Sequence, residues 1–219
     1  MNKDILTTLS NALSKELPGN IAHKQIYSYS RPSAEIIESL GVTPKQSAVL
    51  ILLYKHNNKI CFPLIVRPEY NGVHSRQIGL PGGKKEKEDV SLISTAIRET
   101  QEEIGAIEDN ITVLGSLSEI YIPPSNFIVK PVIGYYEPHS EFIPDKHEVS
   151  RIITSSLDQL INMEVVKSKL FIREDNFKTE VSSYIIENEI VWGATAMILK
   201  ELQHLLQQHD FNEFFNQQP

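Results

Sequence analysis

The chain reads Leu80-Pro81-Gly82-Gly83 and, a short distance later, Arg98-Glu99-Thr100-Gln101-Glu102-Glu103-Ile104-Gly105. The first stretch predicts a sharp turn, because glycine adopts backbone conformations that other residues rarely adopt. The second predicts the end of a helix, since glycine commonly follows the last helical residue. A glycine turn just before a helix with several carboxylates suits a divalent cation bound to a diphosphate.

We predict a helix over residues 90–104, because this segment contains neither proline nor glycine. Asp89 is the candidate N-cap, and Gly105 would end the helix. Mostly apolar residues recur at helical spacing and predict the face that packs on the core. These residues are Ile93, Ile97, Thr100 and Ile104.

Three carboxylates share a different face of this helix. Glu99, Glu102 and Glu103 stand at positions i, i+3 and i+4, so their side chains are neighbours. An isolated cluster of this kind is more often a solvated surface. Here the glycine turn precedes it, and the carbonyl of Gly82 is a candidate further metal ligand. Arg98 would orient the acids by bidentate contact, and Mg²⁺ would relieve their mutual repulsion.

The turn and the helix together resemble the signature of the Nudix hydrolase family. That signature reads glycine, five residues, glutamate, seven residues, Arg-Glu, an aliphatic residue, any residue, Glu-Glu, any residue, glycine and an aliphatic residue. Residues 98–106 fit its downstream half. Counted from Gly83, the upstream acid is Asp89, with one extra residue before the Arg-Glu pair. Counting from Gly82 gives Glu88 instead. We favour Asp89, because the coenzyme A pyrophosphatase branch is similar in having an aspartate and the extra residue.

A second stretch, upstream of the turn, is also similar to the coenzyme A pyrophosphatase branch. The positions that match the branch pattern are Arg67, His74, Gln77, Pro81, Gly82 and Gly83. The positions that depart from it are Gly72, Arg76 and Leu80, where the branch has arginine, glycine and phenylalanine. The resemblance covers about residues 45–206 and implies an α/β fold, the Nudix-type α/β/α sandwich with a mixed sheet.

The resemblance implies a pyrophosphatase that uses Mg²⁺ or Mn²⁺. It would cleave coenzyme A or its thioesters to adenosine 3′,5′-bisphosphate and a 4′-phosphopantetheine product. Two alternatives stay open: a Nudix hydrolase of ADP-ribose, NADH or a nucleoside triphosphate, and a catalytically silent module that binds a nucleotide as a regulator. The residues expected to bind the metal are Gly82, Glu99, Glu102 and Glu103. Those expected to act in catalysis are Arg98, Glu102, Glu103 and Glu148.

Glu148 lies in a later loop and is a candidate metal ligand or general base, with an ordinary surface glutamate as the alternative. For the substrate, Arg67 and Arg76 would bind phosphate oxygens, because guanidinium is a bidentate donor. The alternative for both is an ion pair with a surface acid such as Glu69. The other candidates for substrate contact are His74, Gln77, Gly83, Lys84 and Tyr121.

Composition narrows the class of protein. The net charge is −7, which argues against nucleic acid as a partner, since binding its phosphates requires a basic face. A single cysteine, Cys61, permits no internal disulfide and is expected to be a core residue. The position of Cys61 before Phe62-Pro63 in a predicted strand argues against an isomerase on this fold that uses cysteine. We expect a small-molecule nucleoside diphosphate substrate, a cytoplasmic location and no membrane segment, and we leave a homodimer open.

We expect the chain to consist of two parts. Residues 1–44 would form a helical extension packed on the domain, and residues 45–219 would form the hydrolase domain. Asn57-Asn58 predicts a two-residue hairpin turn. We predict helices over residues 2–16, 33–40, 157–163 and 193–207. We predict strands over residues 47–56, 59–66, 111–122, 127–136, 148–154, 165–172 and 181–186.

Overall fold

The structure is a computed structural model that describes residues 2–27, 32, 34–69, 77–137, 141–172, 177–209 and 211. Its helices are α1 (Asn2–Leu13), α2 (Asn20–His23), α3 (Ala34–Ser39), α4 (Leu92–Ile104), α5 (Leu157–Asn162) and α6 (Gly193–Gln208). Its strands are β1 (Lys45–His56), β2 (Lys59–Val66), β3 (Ile78–Gly79), β4 (Gly82–Lys84), β5 (Ile111–Ser116), β6 (Ile120–Ile122), β7 (Phe127–Tyr136), β8 (Arg151–Ser156), β9 (Val166–Ile172), β10 (Phe177–Ile186) and β11 (Glu189–Val191). Short 3₁₀ turns lie at Glu108–Asn110 and Pro123–Ser125.

β1 is the central strand of the main sheet, and both of its faces are buried. Leu50 and Leu52 pack in the core that includes α4, whereas Ile51 and Leu53 pack in the core on the opposite face. A strand whose successive apolar residues are all buried is typical of a sheet covered on both sides. β1 runs parallel to β7 and antiparallel to β2 and β4.

The main sheet is mixed and follows the order β3-β2-β1-β7-β5. β4, β6 and β8 pair with β1, β7 and β2, and β9, β10 and β11 form a second, antiparallel sheet. The core on one face includes residues of α4, and the core on the other includes residues of α1, α5 and α6. The main sheet therefore lies between two helical layers, and the predicted α/β class with a mixed sheet is confirmed.

Several predicted element bounds are wrong. The helix predicted over residues 2–16 ends at Leu13, and the strand predicted over 111–122 is interrupted between β5 and β6. The strand predicted to begin at Glu148 begins at Arg151, because residues 146–148 form a turn. The last pair of strands is longer than expected, since β10 extends over Phe177–Ile186.

The hairpin between β1 and β2 is confirmed. Asn57 and Asn58 both adopt positive φ angles, 48° and 61°, and His56 pairs with Lys59. This is the conformation that a two-residue hairpin turn requires, and asparagine adopts it more readily than most residues. Cys61, just after this turn, is 4% exposed, as expected for a core residue, and burial raises the pKa of its thiol to about 11.

α1 packs closely against β5. The hydroxyl of Ser10 donates a hydrogen bond to the carbonyl of Leu114 at 3.0 Å. Gly115 allows this approach, because a Cβ there would lie 2.8 Å from the Cβ of Leu13. The division of the chain at residue 45 stays a prediction. No helix in the described part of the chain is both long enough and apolar enough to cross a membrane.

Candidate functional site

α4 is capped at both ends, and the caps determine where its carboxylates lie. The hydroxyl of Ser91 accepts a hydrogen bond from the Ser94 backbone N–H at 3.0 Å, so Ser91 is the N-cap and the prediction of Asp89 as the cap is wrong. Gly105 ends the helix in the left-handed conformation, with φ of 71°, as predicted.

Glu103 points from α4 into the sheet and is 1% exposed. The backbone N–H of Gly82 donates to its Oε2 at 2.8 Å. Only glycine fits at position 82, where a Cβ would lie 2.3 Å from the carbonyl oxygen of Ala48 and φ is 149°. Burial raises the pKa of Glu103 to about 7, although the Gly82 hydrogen bond and the Arg67 charge lower it. Glu103 is therefore a carboxyl that holds its proton more tightly than usual.

Glu99 lies directly against the second glycine of the turn. A Cβ on Gly83 would lie 2.4 Å from the carboxyl carbon of Glu99, so the turn leaves just enough room for this carboxylate. Burial is the main cause that raises the pKa of Glu99, and the charges of Glu102 and Glu148 add to it.

Arg98 connects the acids of the site. Its Nε and Nη2 atoms donate to the two carboxylate oxygens of Asp89, each at 3.0 Å. Nη2 also donates to Glu99 Oε1 at 3.1 Å and to the carbonyl of Lys84 at 3.2 Å, while Nη1 donates to Glu102 Oε2 at 2.9 Å. The bidentate contact holds the pKa of Asp89 well below its usual range and raises the pKa of Arg98.

Asp89 is buried, and protein donors surround its carboxylate. Besides Arg98, the backbone N–H of Glu86 donates to it at 2.8 Å and the hydroxyl of Thr95 at 2.9 Å. Glu88 is exposed. The structure therefore connects Asp89 to the site as the residue that orients Arg98. Sequence reasoning weighed Asp89 as a cap and as an upstream acid and missed this contact, because no fixed spacing predicts an ion pair across a loop.

Glu148 is exposed, in a turn that is hydrogen-bonded to the end of α4. The backbone N–H of Asp145 donates to the carbonyl of Glu103 at 3.0 Å, and the N–H of Glu148 donates to the carbonyl of Asp145 at 3.1 Å. The charge of Glu148 raises the pKa of both Glu99 and Glu103. The fold thus brings Glu148 close to two of the helix glutamates, Glu99 and Glu103.

Besides Gly83, two of the predicted substrate residues lie close to the carboxylates. Arg67 places Nη2 3.5 Å from Glu103 Oε1, and its backbone N–H donates to the carbonyl of Gln77 at 3.0 Å. The carbonyl of Lys84 contacts Arg98, as described above. Arg67 and Lys84 therefore border the carboxylate cluster, and Gln77 supports the backbone of Arg67.

The remaining candidates are placed differently. Tyr121 is half-buried in β6, and its hydroxyl donates to Oδ1 of Asn126 in the turn before β7 at 3.1 Å. His74 and Arg76 lie outside the described residues. In the described part of the chain, no three His, Cys, Asp or Glu side chains are arranged as a metal site.

The donor set nevertheless fits a hard divalent cation. The charge of Glu148 raises the pKa of both Glu99 and Glu103, and the charge of Glu99 raises the pKa of Glu103, so a cation among these acids would relieve repulsion. Oxygen donors of this kind are the ligands that Mg²⁺ and Mn²⁺ prefer. Glu102, at 57% side-chain exposure, is open to solvent and contacts Arg98. The carbonyl of Gly82 stays a predicted ligand.

A sequence profile of the NUDIX domain matches residues 44–174. Two relatives named Uncharacterized Nudix hydrolase NudL, from Yersinia pestis (strain Pestoides F) and Yersinia pseudotuberculosis serotype O:1b (strain IP 31758), are each 33% identical over 174 residues, which is 77% of this chain and 81% of the relative.

Two solved structures are similar in part. One is the Nudix hydrolase RenU from M. smegmatis, with a TM-score of 0.49 and 13% identity, covering 75% of this chain and 87% of that chain. The other is a MutT/nudix family protein from Enterococcus faecalis, with a TM-score of 0.48 and 16% identity, covering 87% of this chain and 72% of that chain.

Proposed function

Because this chain belongs to the Nudix hydrolase family, we propose that it hydrolyses the diphosphate of coenzyme A or of its thioesters. Family membership makes it a hydrolase of pyrophosphate bonds in nucleoside diphosphate derivatives. The observation that supports coenzyme A is Arg67, which matches the coenzyme A pyrophosphatase pattern and lies 3.5 Å from Glu103. A guanidinium there can bind phosphate oxygens next to the acids.

We propose Mg²⁺ or Mn²⁺ as the cofactor, bound by Glu99, Glu102 and Glu103 with the Gly82 carbonyl as a further ligand. Such an ion neutralises the charge of the diphosphate and lowers the pKa of water, which makes hydroxide available at neutral pH. Nudix hydrolases in general use divalent metal ions, and the choice between these two is part of the proposal.

The protein side chains divide the remaining tasks. Arg98 orients Glu99 and Glu102, and Asp89 in turn fixes the guanidinium of Arg98. Arg67 binds oxygens of the diphosphate.

Two carboxyls are candidates for the general base, Glu103 and Glu148. Both lie among the acids: Glu103 is buried and accepts the Gly82 N–H, whereas Glu148 is exposed on the neighbouring turn. Glu103→Gln and Glu148→Gln distinguish them, because only the variant that lacks the base should lose the acidic limb of the pH–rate profile.

Product analysis tests the substrate. Purified protein with Mg²⁺ or Mn²⁺ is incubated in parallel with coenzyme A, ADP-ribose, NADH and a nucleoside triphosphate. We expect adenosine 3′,5′-bisphosphate to form preferentially from coenzyme A. Preference for another diphosphate would refute the coenzyme A proposal and leave the hydrolase in place, and no turnover of any compound would favour the silent nucleotide-binding module.

A matched pair of variants tests the site. Glu102→Gln removes a proposed metal ligand and should lower kcat/KM by roughly a thousandfold. Glu108→Gln removes an exposed glutamate at the 3₁₀ turn that follows α4 and should leave kcat/KM unchanged. Equal activity of the two variants would contradict the assignment of Glu102.

A further inference from the structure

A shallow pocket of about 350 Å³ lies where the loop after β4 meets the start of β1. Four of its lining residues are lysines and two are acids. These residues are Lys45, Lys84, Lys85, Lys87, Glu86 and Asp89. We call it the lysine pocket.

Backbone pairing brings these lysines together. Lys84 pairs with Ser47 in the β1–β4 ladder, and the N–H of Lys85 continues the pairing by donating to the carbonyl of Gln46 at 3.0 Å. The N–H of Glu86 donates to Asp89 Oδ2 at 2.8 Å and fixes the loop that follows. Lys45 is distant in sequence from the other lysines, so only the sheet places it beside them.

The charges in the lysine pocket do not cancel. Arg98 pairs with Asp89 through two hydrogen bonds, which leaves Glu86 as the other acid among the four lysines that line the pocket. The chain as a whole carries a net charge of −7, so this pocket is a local reversal of sign. Positive groups concentrated in this way attract and retain anions.

The lysine pocket adjoins both the carboxylates and an aromatic ring. Asp89 lines the pocket and contacts Arg98, which contacts Glu102, so one guanidinium separates the pocket from the acids. At the other end, Lys45 Nζ lies 5.5 Å from the centre of the Phe127 ring. A substrate with its diphosphate at the acids can therefore reach the lysines with a second anionic group.

We propose that the lysine pocket binds a phosphate monoester of the substrate, separate from the diphosphate that is hydrolysed. The inference rests on the proposed function of the neighbouring site. A phosphate monoester carries close to two negative charges at neutral pH and offers three acceptor oxygens, which suits several ammonium donors better than it suits one. Coenzyme A carries such a group on its ribose, and dephospho-coenzyme A lacks it.

Equilibrium binding of these two compounds tests the pocket directly. Titration calorimetry is carried out with wild-type protein in EDTA, which prevents metal-dependent turnover. We expect coenzyme A to bind roughly tenfold more tightly than dephospho-coenzyme A, as the loss of one well-placed charged contact would give. The preference should shrink as ionic strength rises, because exposed charges are screened.

Three lysine variants test which residues cause the preference for coenzyme A over dephospho-coenzyme A. Lys45→Gln and Lys85→Gln should each reduce it by about threefold or more, while binding of dephospho-coenzyme A stays the same. Lys55→Gln is the matched control, because Lys55 is exposed near the opposite end of β1 and should keep the full preference. Equal affinity of wild-type protein for both compounds, or an unchanged preference in both pocket variants, would overturn the proposal.

Turnover with Mg²⁺ separates failure of the pocket from failure of the proposed function. If neither compound is hydrolysed, the proposed function is refuted. The binding preference measured by calorimetry then still tests whether the lysine pocket binds the phosphate monoester. If both are hydrolysed, the pocket variants should raise KM for coenzyme A by about threefold or more and leave kcat unchanged. A uniform loss of kcat for both compounds would indicate that the substituted lysines have a structural role, and it would overturn the proposal.

Discussion

Glu103 and Glu201 are both buried glutamates on helices, yet they have opposite surroundings. Glu103 on α4 is 1% exposed, and Glu201 on α6, on the other face of the sheet, is 0% exposed. Glu201 accepts hydrogen bonds from the Gly19 N–H at 3.1 Å, from His23 Nε2 at 2.9 Å, and from the Ser118 N–H and hydroxyl at 3.2 and 2.6 Å. Both carboxylate oxygens of Glu201 therefore accept hydrogen bonds from protein donors.

Glu103 has fewer donors and more acids around it. The Gly82 N–H at 2.8 Å and Arg67 at 3.5 Å are opposed by the charges of Glu99 and Glu148. Burial raises the pKa of Glu103 to about 7. Burial acts on Glu201 in the same direction, but the bonds from His23 and Ser118 outweigh it and lower the pKa. The comparison teaches that neighbours, not burial, decide whether an interior acid stabilises the fold or stays available to a ligand.

The largest expected effect is on activity at Glu103. Glu103→Gln should lower kcat/KM by roughly a thousandfold, about 4 kcal/mol of transition-state stabilisation, because the amide cannot bind a cation as a carboxylate does. The free energy of unfolding should change by less than about 1 kcal/mol, since the amide oxygen can still accept the Gly82 N–H. Steady-state kinetics and thermal unfolding on the same sample check both. A large loss of stability would remove the contrast with Glu201.

Glu201 should show the reverse pattern. Glu201→Ala leaves buried donors of Gly19 and Ser118 without an acceptor and should reduce the free energy of unfolding by about 3 kcal/mol. Tm should fall by roughly 6–12 °C, while kcat/KM of the folded protein stays the same. Glu103→Ala is the matched control and should lower Tm less. An equal fall in both variants would show that burial alone sets the stabilisation.

A smaller effect is expected at the residue that orients Arg98. Asp89→Asn replaces one acceptor oxygen with an amide that cannot accept from the guanidinium, so Glu99 and Glu102 lose a fixed partner. Activity should fall by about 10- to 100-fold. Glu88→Gln, at the exposed neighbouring position, should have no effect on kcat/KM. If the two variants behave alike, Asp89 does not position Arg98.

The smallest effect is the pH dependence of stability at Glu201. Hydrogen bonds lower its folded pKa below the ordinary value of 4.5, so its contribution is fully present above that value and is lost as pH falls through the folded pKa. The difference in unfolding free energy between wild type and Glu201→Gln should therefore be largest near neutrality and shrink below about pH 4.5. Denaturant unfolding between pH 3 and pH 7 measures it. A constant difference would contradict the lowered pKa.

Local sequence predicted those elements whose signals are short-range. α4 and its end at Gly105, the Asn57-Asn58 hairpin and the burial of Cys61 follow from residue type and periodicity. The N-cap prediction was wrong because the helix begins at Leu92, two residues later than expected, and Arg98 binds the carboxylate of Asp89. The break between β5 and β6 was missed because residues 117–119 contain neither glycine nor proline.

The sequence by itself determined the glycine turn, the helix with three acids and the membership of a hydrolase family, because these depend on residues close together in the chain. Only the tertiary structure decided which acid lies where. Glu103 and Glu201 are the same residue type on two amphipathic helices, and no local pattern separates them. Their difference comes from Gly82 and Glu148 on one face and from His23 and Ser118 on the other, contacts that exist only once the sheet has formed.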